Sequence, residues 1–303
     1  MSNDSKDALQ ICVAYVLERL RQHEENMNDA PFFLGVNGVQ GIGKSYLVAS
    51  LAHELEQAAH DVRTVVLSID DFYLAHEDQM QLAADHSHNP LVQHRGQPST
   101  HDLSLALSVL ASLRAKQETS IPSYDKSAFD GKGDRKPQTQ WTNVNKNGQQ
   151  PVRVVVLEGW CVGFRALDDT QLTALWTDAV KQSTQGNSYR GRLGHNRLEN
   201  VHFINEAQKG YDSLTNQLDA LIHLDAEDLQ FVYEWRLEQE DQLRRERGSG
   251  MTNAAVLNFI DGYYPSYELF TDSLRSGTFE NRDGAQLRLV LGKSRRVQEV
   301  IKL

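Results

Sequence analysis

Eight consecutive residues, Gly38-Val39-Gln40-Gly41-Ile42-Gly43-Lys44-Ser45, fit the pattern GxxxxGK[ST]. Glycines at that spacing let a backbone curl until successive N–H groups point at one phosphate. The lysine can reach the β- and γ-phosphates of a nucleoside triphosphate, and the serine hydroxyl can ligate Mg²⁺. An apolar run, Phe32 to Val36, precedes the string, and a helix-forming run from Lys44 to about Ala59 follows it. That is the strand-turn-helix setting in which the helix N-terminus adds its partial positive charge to the cradle. Tyr46, just inside the helix, completes the stretch expected to line the nucleotide. A Gly-rich turn with no ligand is the plain alternative, and the full match in this setting disfavours it.

Carboxylates occur at two further strand ends. A run from Val62 to Ile69 leads into Asp70-Asp71-Phe72-Tyr73, and the Val152–Leu157 run leads into Glu158-Gly159. In open α/β sheets ligands sit outside the carboxyl ends of the strands, so both sets would emerge where the phosphate cradle opens. One carboxylate could then take a proton from an acceptor hydroxyl while another holds Mg²⁺ through water. Taken alone, two adjacent aspartates at a strand end read as a helix cap or a turn. In extended geometry the Asp70 and Asp71 side chains would point to opposite sides, so one of them would face the γ-phosphate. A guanine reader of the form NKxD is not formed: Asn145-Lys146-Asn147 ends in Gly148. The DxxG string at Asp130–Gly133 has no strand ahead of it.

These residues need elements to hold them. Helical spacing of Leu9, Cys12, Val13, Val16, Leu17 and Leu20 predicts an amphipathic helix over 7–22. Further helices are expected near 102–115, 169–181, from Ile204 to Leu218, and over about 226–247, with shorter ones beyond. Strands are expected at 32–36, 62–69, 152–157, 220–224 and 287–291, ahead of a basic tail. Strands alternating with helices predict an α/β protein with a doubly wound, mainly parallel sheet. The expected organisation is one domain over 1–303. It carries an N-terminal helix in 1–30 and a polar excursion over 117–150 with two short strands, since loops that long are usually functional. The four arginines at 236, 244, 245 and 247, ahead of Gly248-Ser249-Gly250, suit a lid over about 236–251. The alternative for those arginines is surface pairing with Glu238, Glu240 and Glu246.

The chain has 303 residues and a formal net charge of −10. Such a balance gives no global pull toward nucleic acid or an anionic membrane, so neither is an expected partner. Positive charge for a polyphosphate must be built locally. The two cysteines, Cys12 and Cys161, form no CxxC pair, which fits a reducing compartment. The polar, acidic start does not read as a signal peptide, so cytoplasm, with the nucleus as a second compartment, is the expectation. His76, His86, His88 and His94 cluster in sequence and read as solvated loop residues rather than a metal site.

The order of motifs resembles the P-loop kinases of the phosphoribulokinase, uridine kinase and pantothenate kinase group. Within it the chain is most similar to D-glycerate 3-kinase and its fungal relatives. The resemblance rests on GVQGIGKS (38–45), SIDDFYL (68–74), RGQPSTHD (95–102), PSYDKSAFDGKGDR (122–135), VVVLEGWCVGF (154–164), WRLEQE (235–240) and GYYPSYELF (262–270). It implies a P-loop NTPase fold with a helical lid and an ATP- and Mg²⁺-dependent transfer of phosphate to a hydroxyl of a small metabolite. Lys44, Asp70, Glu158 and Arg236 would be catalytic, Asp70 as the base. Ser45 and Glu158 would stand at the metal. Asp71, Tyr73, Arg95, His101, Tyr124, Lys126 and Arg135 would face the acceptor, types that suit an anionic or polyhydroxylated molecule. Gly262 and Glu268, flanking Pro265-Ser266-Tyr267, stand where the plant-type enzymes are expected to carry cations, so D-glycerate would be a slow acceptor. Two other readings are a nucleoside or sugar-phosphate kinase of the same fold, and an ATP-binding regulator without phosphotransfer.

Overall fold

Uniformly apolar runs become the middle of a sheet because both of their faces are covered. In the computed structural model, which describes residues 3–26, 29–185, 189–248 and 250–303, the central strands β1 (Phe32–Gly38), β7 (Val154–Gly159) and β8 (Ala220–Ala226) are buried along their whole length. They lie in a six-stranded sheet of order β10-β9-β8-β1-β7-β2, where β2 is Thr64–Ser68, β9 is Gln286–Leu291 and β10 is Val297–Lys302. All neighbours are parallel except the last pair, β9 and β10. This is the expected mainly parallel α/β arrangement.

The helices are α1 (Asn3–Glu25), α2 (Lys44–Leu55), α3 (His76–Asp85), α4 (Leu103–Arg114), α5 (Asp169–Gln185), α6 (Leu198–Thr215), α7 (Phe231–Arg247) and α8 (Asn253–Arg275). Register fixes which strand ends meet. Asn37 of β1 is level with Gly159 of β7, Gly38 with Leu224 of β8, and Ser68 of β2 with Glu158 of β7. The residues that follow β1, β2 and β7 therefore leave the sheet at one edge.

Four local expectations differ from the structure. The basic tail is the edge strand β10, whose charged residues and register shift between Val297 and Glu299 suit a strand with one open side. The shorter helices after 250 are one helix, α8, that runs through Pro265. Proline inside a helix costs ~3 kcal/mol. Tyr263, Tyr264, Tyr267, Phe270 and Leu274 bury that face, and each such side chain contributes roughly 1.5–3 kcal/mol. The 117–150 excursion holds four short strands rather than two: β3 (Thr119–Ile121) pairs with β6 (Thr142–Val144), and β4 (Tyr124–Asp125) with β5 (Asp134–Arg135). Finally, β2 ends at Ser68, and Ile69–Phe72 turns into a 3₁₀ helix.

The end of α8 is tied to the sheet by a buried carboxylate. Asp225 of β8 accepts from Arg275 Nε at 2.9 Å and from Arg288 Nε at 2.9 Å. Beside it lies His223, which burial holds down to about 4 although Asp225 pulls the other way. Between its ordinary value of 6.5 and about 4, the unfolded chain binds a proton there that the folded chain does not. Stability thus rises with pH across that window and falls on acidification. His101, also held down to about 4 by burial, acts in the same sense. A His223→Gln variant is expected to lose less Tm between pH 6.5 and pH 4 than the unmodified protein. Calorimetry over that range checks it, and parallel curves would count against the assignment.

No helix among the described residues is long and apolar enough to cross a membrane. Both cysteines are buried and free.

Candidate functional site

The loop between β1 and α2 is shaped by what its apolar side chains do. Val39 and Ile42 are buried in the core, and Asn37 Nδ2 donates to the Trp160 and Val162 carbonyls at 3.1 and 2.8 Å, fixing the end of β1 to the turn after β7. Gly41 and Gly43 have φ of +78° and +103°, the left-handed region that favours glycine. At Gly41 there is also no room: a Cβ would lie 2.8 Å from the Trp235 backbone and 3.0 Å from the Arg236 nitrogen. The first turns of α7 thus press directly on the loop. Gln40 N–H donates to the Tyr267 hydroxyl at 3.4 Å, and the Gly41 carbonyl accepts from Arg295 Nε at 2.8 Å. Gly38 sits at the end of β1, where a Cβ would be 2.9 Å from Ile42 Cγ2.

At the start of α2 the Lys44 ammonium lies 3.5 Å from the Glu158 carboxylate, each side chain only 11% exposed. Ser45 is exposed one residue on, and the Tyr46 ring is 59% exposed. The register that places Ser68 beside Glu158 brings Asp70 to the same edge. Ser68 Oγ caps the 3₁₀ turn by accepting from Asp70 N–H at 3.3 Å. In that turn the two aspartates do not point to opposite sides of a strand, and both meet the excursion. Asp70 pairs with Lys126 Nζ at 2.5 Å, while Asp71 Oδ1 accepts from Tyr124 N–H at 3.1 Å. Burial alone would push the Asp70 carboxyl up, but the Lys126 ammonium, helped by His101 and Lys44, holds it below the usual carboxylate range. For Asp71 burial prevails over the hydrogen bond from Tyr124, and the Asp70 charge adds to the upward shift.

The aromatic residues expected on the acceptor side form the wall around Asp70. Tyr73 stacks on His101 with centroids 4.3 Å apart and meets Tyr124 edge-on at 5.4 Å. His101 Nδ1 is 2.6 Å from the Tyr211 hydroxyl. His101 Nε2, Tyr124 Oη and Trp160 Nε1 are buried without a hydrogen-bond partner. The cations are placed differently. Arg95 Nη1 donates to the Gly131 carbonyl at 2.6 Å, with the Lys132 carbonyl also in its reach. Arg135 Nη2 donates to the Tyr73 carbonyl at 2.9 Å and to Asp102 at 3.2 Å. Both guanidiniums thereby staple the excursion, and Lys126 is the cation paired with Asp70.

On α7, Arg236 pairs with buried Glu240 at 2.9 Å and lies over the Phe259 ring at 5.7 Å, so its backbone borders the phosphate loop while its guanidinium faces α8. Arg244 donates to Asn253 at 2.7 Å and closes the turn between α7 and α8. Ser249 of the expected hinge lies outside the described residues, as does the side chain of Arg247. Glu268 does not face this site. Its carboxylate accepts from the Arg192 and Leu193 N–H groups at 2.7 Å each and from the Tyr189 hydroxyl at 2.9 Å, and burial holds its carboxyl up. The Gly262 carbonyl accepts from Gln97 at 2.6 Å. Asn37 and Arg295 brace the phosphate loop from outside every motif of the sequence, and Tyr267 does so from within GYYPSYELF; Arg295 is 254 residues from Gly41 in sequence. Of the four clustered histidines, His76 stacks on Phe129, and His86 packs on Phe203 with the His88 ring 6.4 Å away.

No family model matches the chain. It is 36% identical over 269 residues to the "Uncharacterized kinase mug58" of Schizosaccharomyces pombe, spanning 88% of this chain and 90% of that one. It is 32% identical over 289 residues to the "Probable ATP-dependent kinase TDA10" of Saccharomyces cerevisiae, spanning 91% and 90%. A solved D-glycerate 3-kinase from Cryptococcus neoformans superimposes with a TM-score of 0.87 at 33% identity, covering 98% of this chain and 99% of that one.

Proposed function

This chain belongs to the family of P-loop small-molecule kinases that includes D-glycerate 3-kinase, and from that premise we propose that it passes the γ-phosphate of ATP to a hydroxyl of a short hydroxy acid, D-glycerate being the first to test. The observation that carries the reading is the meeting at one sheet edge of the Lys44–Glu158 pair and Asp70, the latter held ionised by Lys126. Gly262 and Glu268 do not count against glycerate here, because Glu268 is engaged by the Arg192 and Leu193 N–H groups and the Gly262 carbonyl by Gln97.

In this reading the acceptor oxygen attacks the γ-phosphorus, the bond to the β-phosphate oxygen breaks, ADP leaves, and the hydroxyl proton passes to Asp70. The loop N–H groups from Gly38 to Ser45 cradle the phosphates, and Lys44 offsets the charge that develops on the transferred group. Val39 and Ile42 serve by anchoring the loop, and Tyr46 extends along its outer rim. Lys126 orients the carboxylate end of the acceptor. His101, Tyr124 and Trp160 supply neutral polar atoms, and Tyr73 forms the floor. Asp71, Arg95 and Arg135 position the excursion. The span of about 236–251, from within α7 to just before α8, acts as the lid, from which Arg236 is delivered to the phosphates on closure.

The donor set suits Mg²⁺. Among the described residues no three His, Cys, Asp or Glu side chains converge as a cage, and Mg²⁺ is usually held by one or two protein oxygens plus phosphate oxygens and water. The Ser45 hydroxyl and, through water, the Glu158 carboxylate would hold it. When bound it neutralises phosphate charge.

The test is ATP consumption by the purified protein over a panel of D-glycerate, related hydroxy acids, uridine and pentose phosphates. Turnover with D-glycerate at a specificity constant of roughly 10⁴ M⁻¹s⁻¹ or more is expected. Preference for a nucleoside or sugar phosphate, or ATP binding without turnover on any acceptor, would overturn the reading.

A further inference from the structure

The turn between β9 and β10 reaches the phosphate loop through one side chain. Arg295 N–H donates to the Gly292 carbonyl at 2.8 Å, and Arg295 itself has φ +60°, a conformation uncommon for a residue with a side chain. This backbone presents the guanidinium to three partners. Nε donates to the Gly41 carbonyl at 2.8 Å, Nη1 pairs with Glu238 of α7 at 2.8 Å, and the planar group lies over the Trp235 ring at 5.2 Å. The same turn is held to α7 by Trp235 Nε1, which donates to the Lys293 carbonyl at 2.7 Å. A planar, permanently charged fork can make these contacts together, which a lysine ammonium cannot.

We infer that Arg295 is a positioning residue of the nucleotide site, which fixes the Gly41 carbonyl away from the phosphates. The inference rests on the nucleotide site proposed above. A carbonyl oxygen is repelled by phosphate oxygens, and a loop built from glycines can rotate a peptide plane at little cost. The cation on the Gly41 oxygen removes that freedom. Because Gly41 packs on the backbone of Trp235 and Arg236, the same contact sets where Arg236 enters.

The experiment measures Mg·ATP affinity directly by calorimetry, alongside KM for ATP, KM for the acceptor, and Tm. A hydrogen bond from a charged donor is worth about 1.5–3 kcal/mol, so Arg295→Ala should raise the ATP dissociation constant about tenfold or more. The acceptor KM should stay unchanged. Arg295→Lys should recover part of the affinity, and Glu238→Gln, which leaves the Gly41 contact in place, should stay within about twofold of the unmodified protein. A merely structural role would lower Tm and the active fraction without moving the ATP dissociation constant. An Arg295→Ala affinity within about twofold of the unmodified protein would overturn the inference, as would equal losses in Arg295→Ala and Glu238→Gln. Failure of the unmodified protein to bind ATP would overturn both this inference and the proposed site. Binding without transfer would overturn the proposed function alone.

Discussion

Lys44→Ala is expected to reduce phosphate transfer by about 10³-fold or more, because the ammonium meets charge that appears on the transferred group. The same substitution has a structural consequence that must be separated from it. Lys44 and Glu158 face each other at 3.5 Å with little exposure, and removing one partner of such a pair leaves an uncompensated charge. A lower Tm is therefore expected for Lys44→Ala. In the double variant Lys44→Met with Glu158→Gln both charges are gone, so Tm should recover while transfer stays lost. A single variant that keeps near-normal turnover would remove Lys44 from the chemistry. A double variant that regains activity along with stability would show that Lys44 only balances Glu158.

The second large effect is expected at Asp70. General base catalysis is typically worth about 10²–10⁴-fold, and Asp70→Asn should lower kcat by that order with ATP affinity little changed. The transition state in phosphoryl transfer is loose, so the base mainly orients the hydroxyl and accepts its proton late. A carboxyl held below its usual range by Lys126 is ionised at neutral pH and ready for that role. Asp71 differs from it in what it touches. Its carboxylate accepts from the Tyr124 N–H and so holds the excursion in place. Asp71→Asn keeps an oxygen acceptor at that position and should cost less. Steady-state kinetics of the two variants, with ATP binding measured separately, decides between them. A crippled Asp71→Asn enzyme beside a nearly normal Asp70→Asn enzyme would exchange the two assignments.

The parts of this molecule that could be read in its sequence are those in which local pattern and tertiary setting agree. The Val152–Leu157 run, expected as a buried parallel strand, gives β7 from Val154 onward, and Gly38 to Ser45 carries its own context in the strand before and the helix after. Where tertiary packing overrides a local rule, the sequence misleads. The stretch after 250 reads as several shorter helices, yet Tyr263, Tyr267 and Phe270 bury enough surface to carry the single helix α8 through Pro265. In the turn before β10 the positive φ falls on Arg295 rather than on Gly292, so the turn gives little local signal and β10 reads as a basic tail. Ser68 ends β2 by capping a 3₁₀ turn, which is the turn that Asp70 and Asp71 suggest when read alone.

Around Asp70 the sequence shows residue types but not their partners. Arg95 and Arg135 read as cations for a substrate, and in the structure Arg95 meets the Gly131 carbonyl of the excursion and Arg135 the Tyr73 carbonyl. A sequence states that a guanidinium exists. Only the fold states which oxygens it meets. For the same reason Glu268 could be taken for a change at the substrate edge, whereas it binds the N–H groups of Arg192 and Leu193.

The most direct measurement follows the phosphorus atom. The protein is incubated with Mg²⁺, D-glycerate and ATP labelled in the γ-phosphate, and the label is traced. The account predicts that it appears in a phosphomonoester of the hydroxy acid in proportion to ADP formed, and that Lys44→Ala and Asp70→Asn proteins fail to produce it. Label found only in inorganic phosphate, or remaining in ATP while the protein binds the nucleotide, would contradict it.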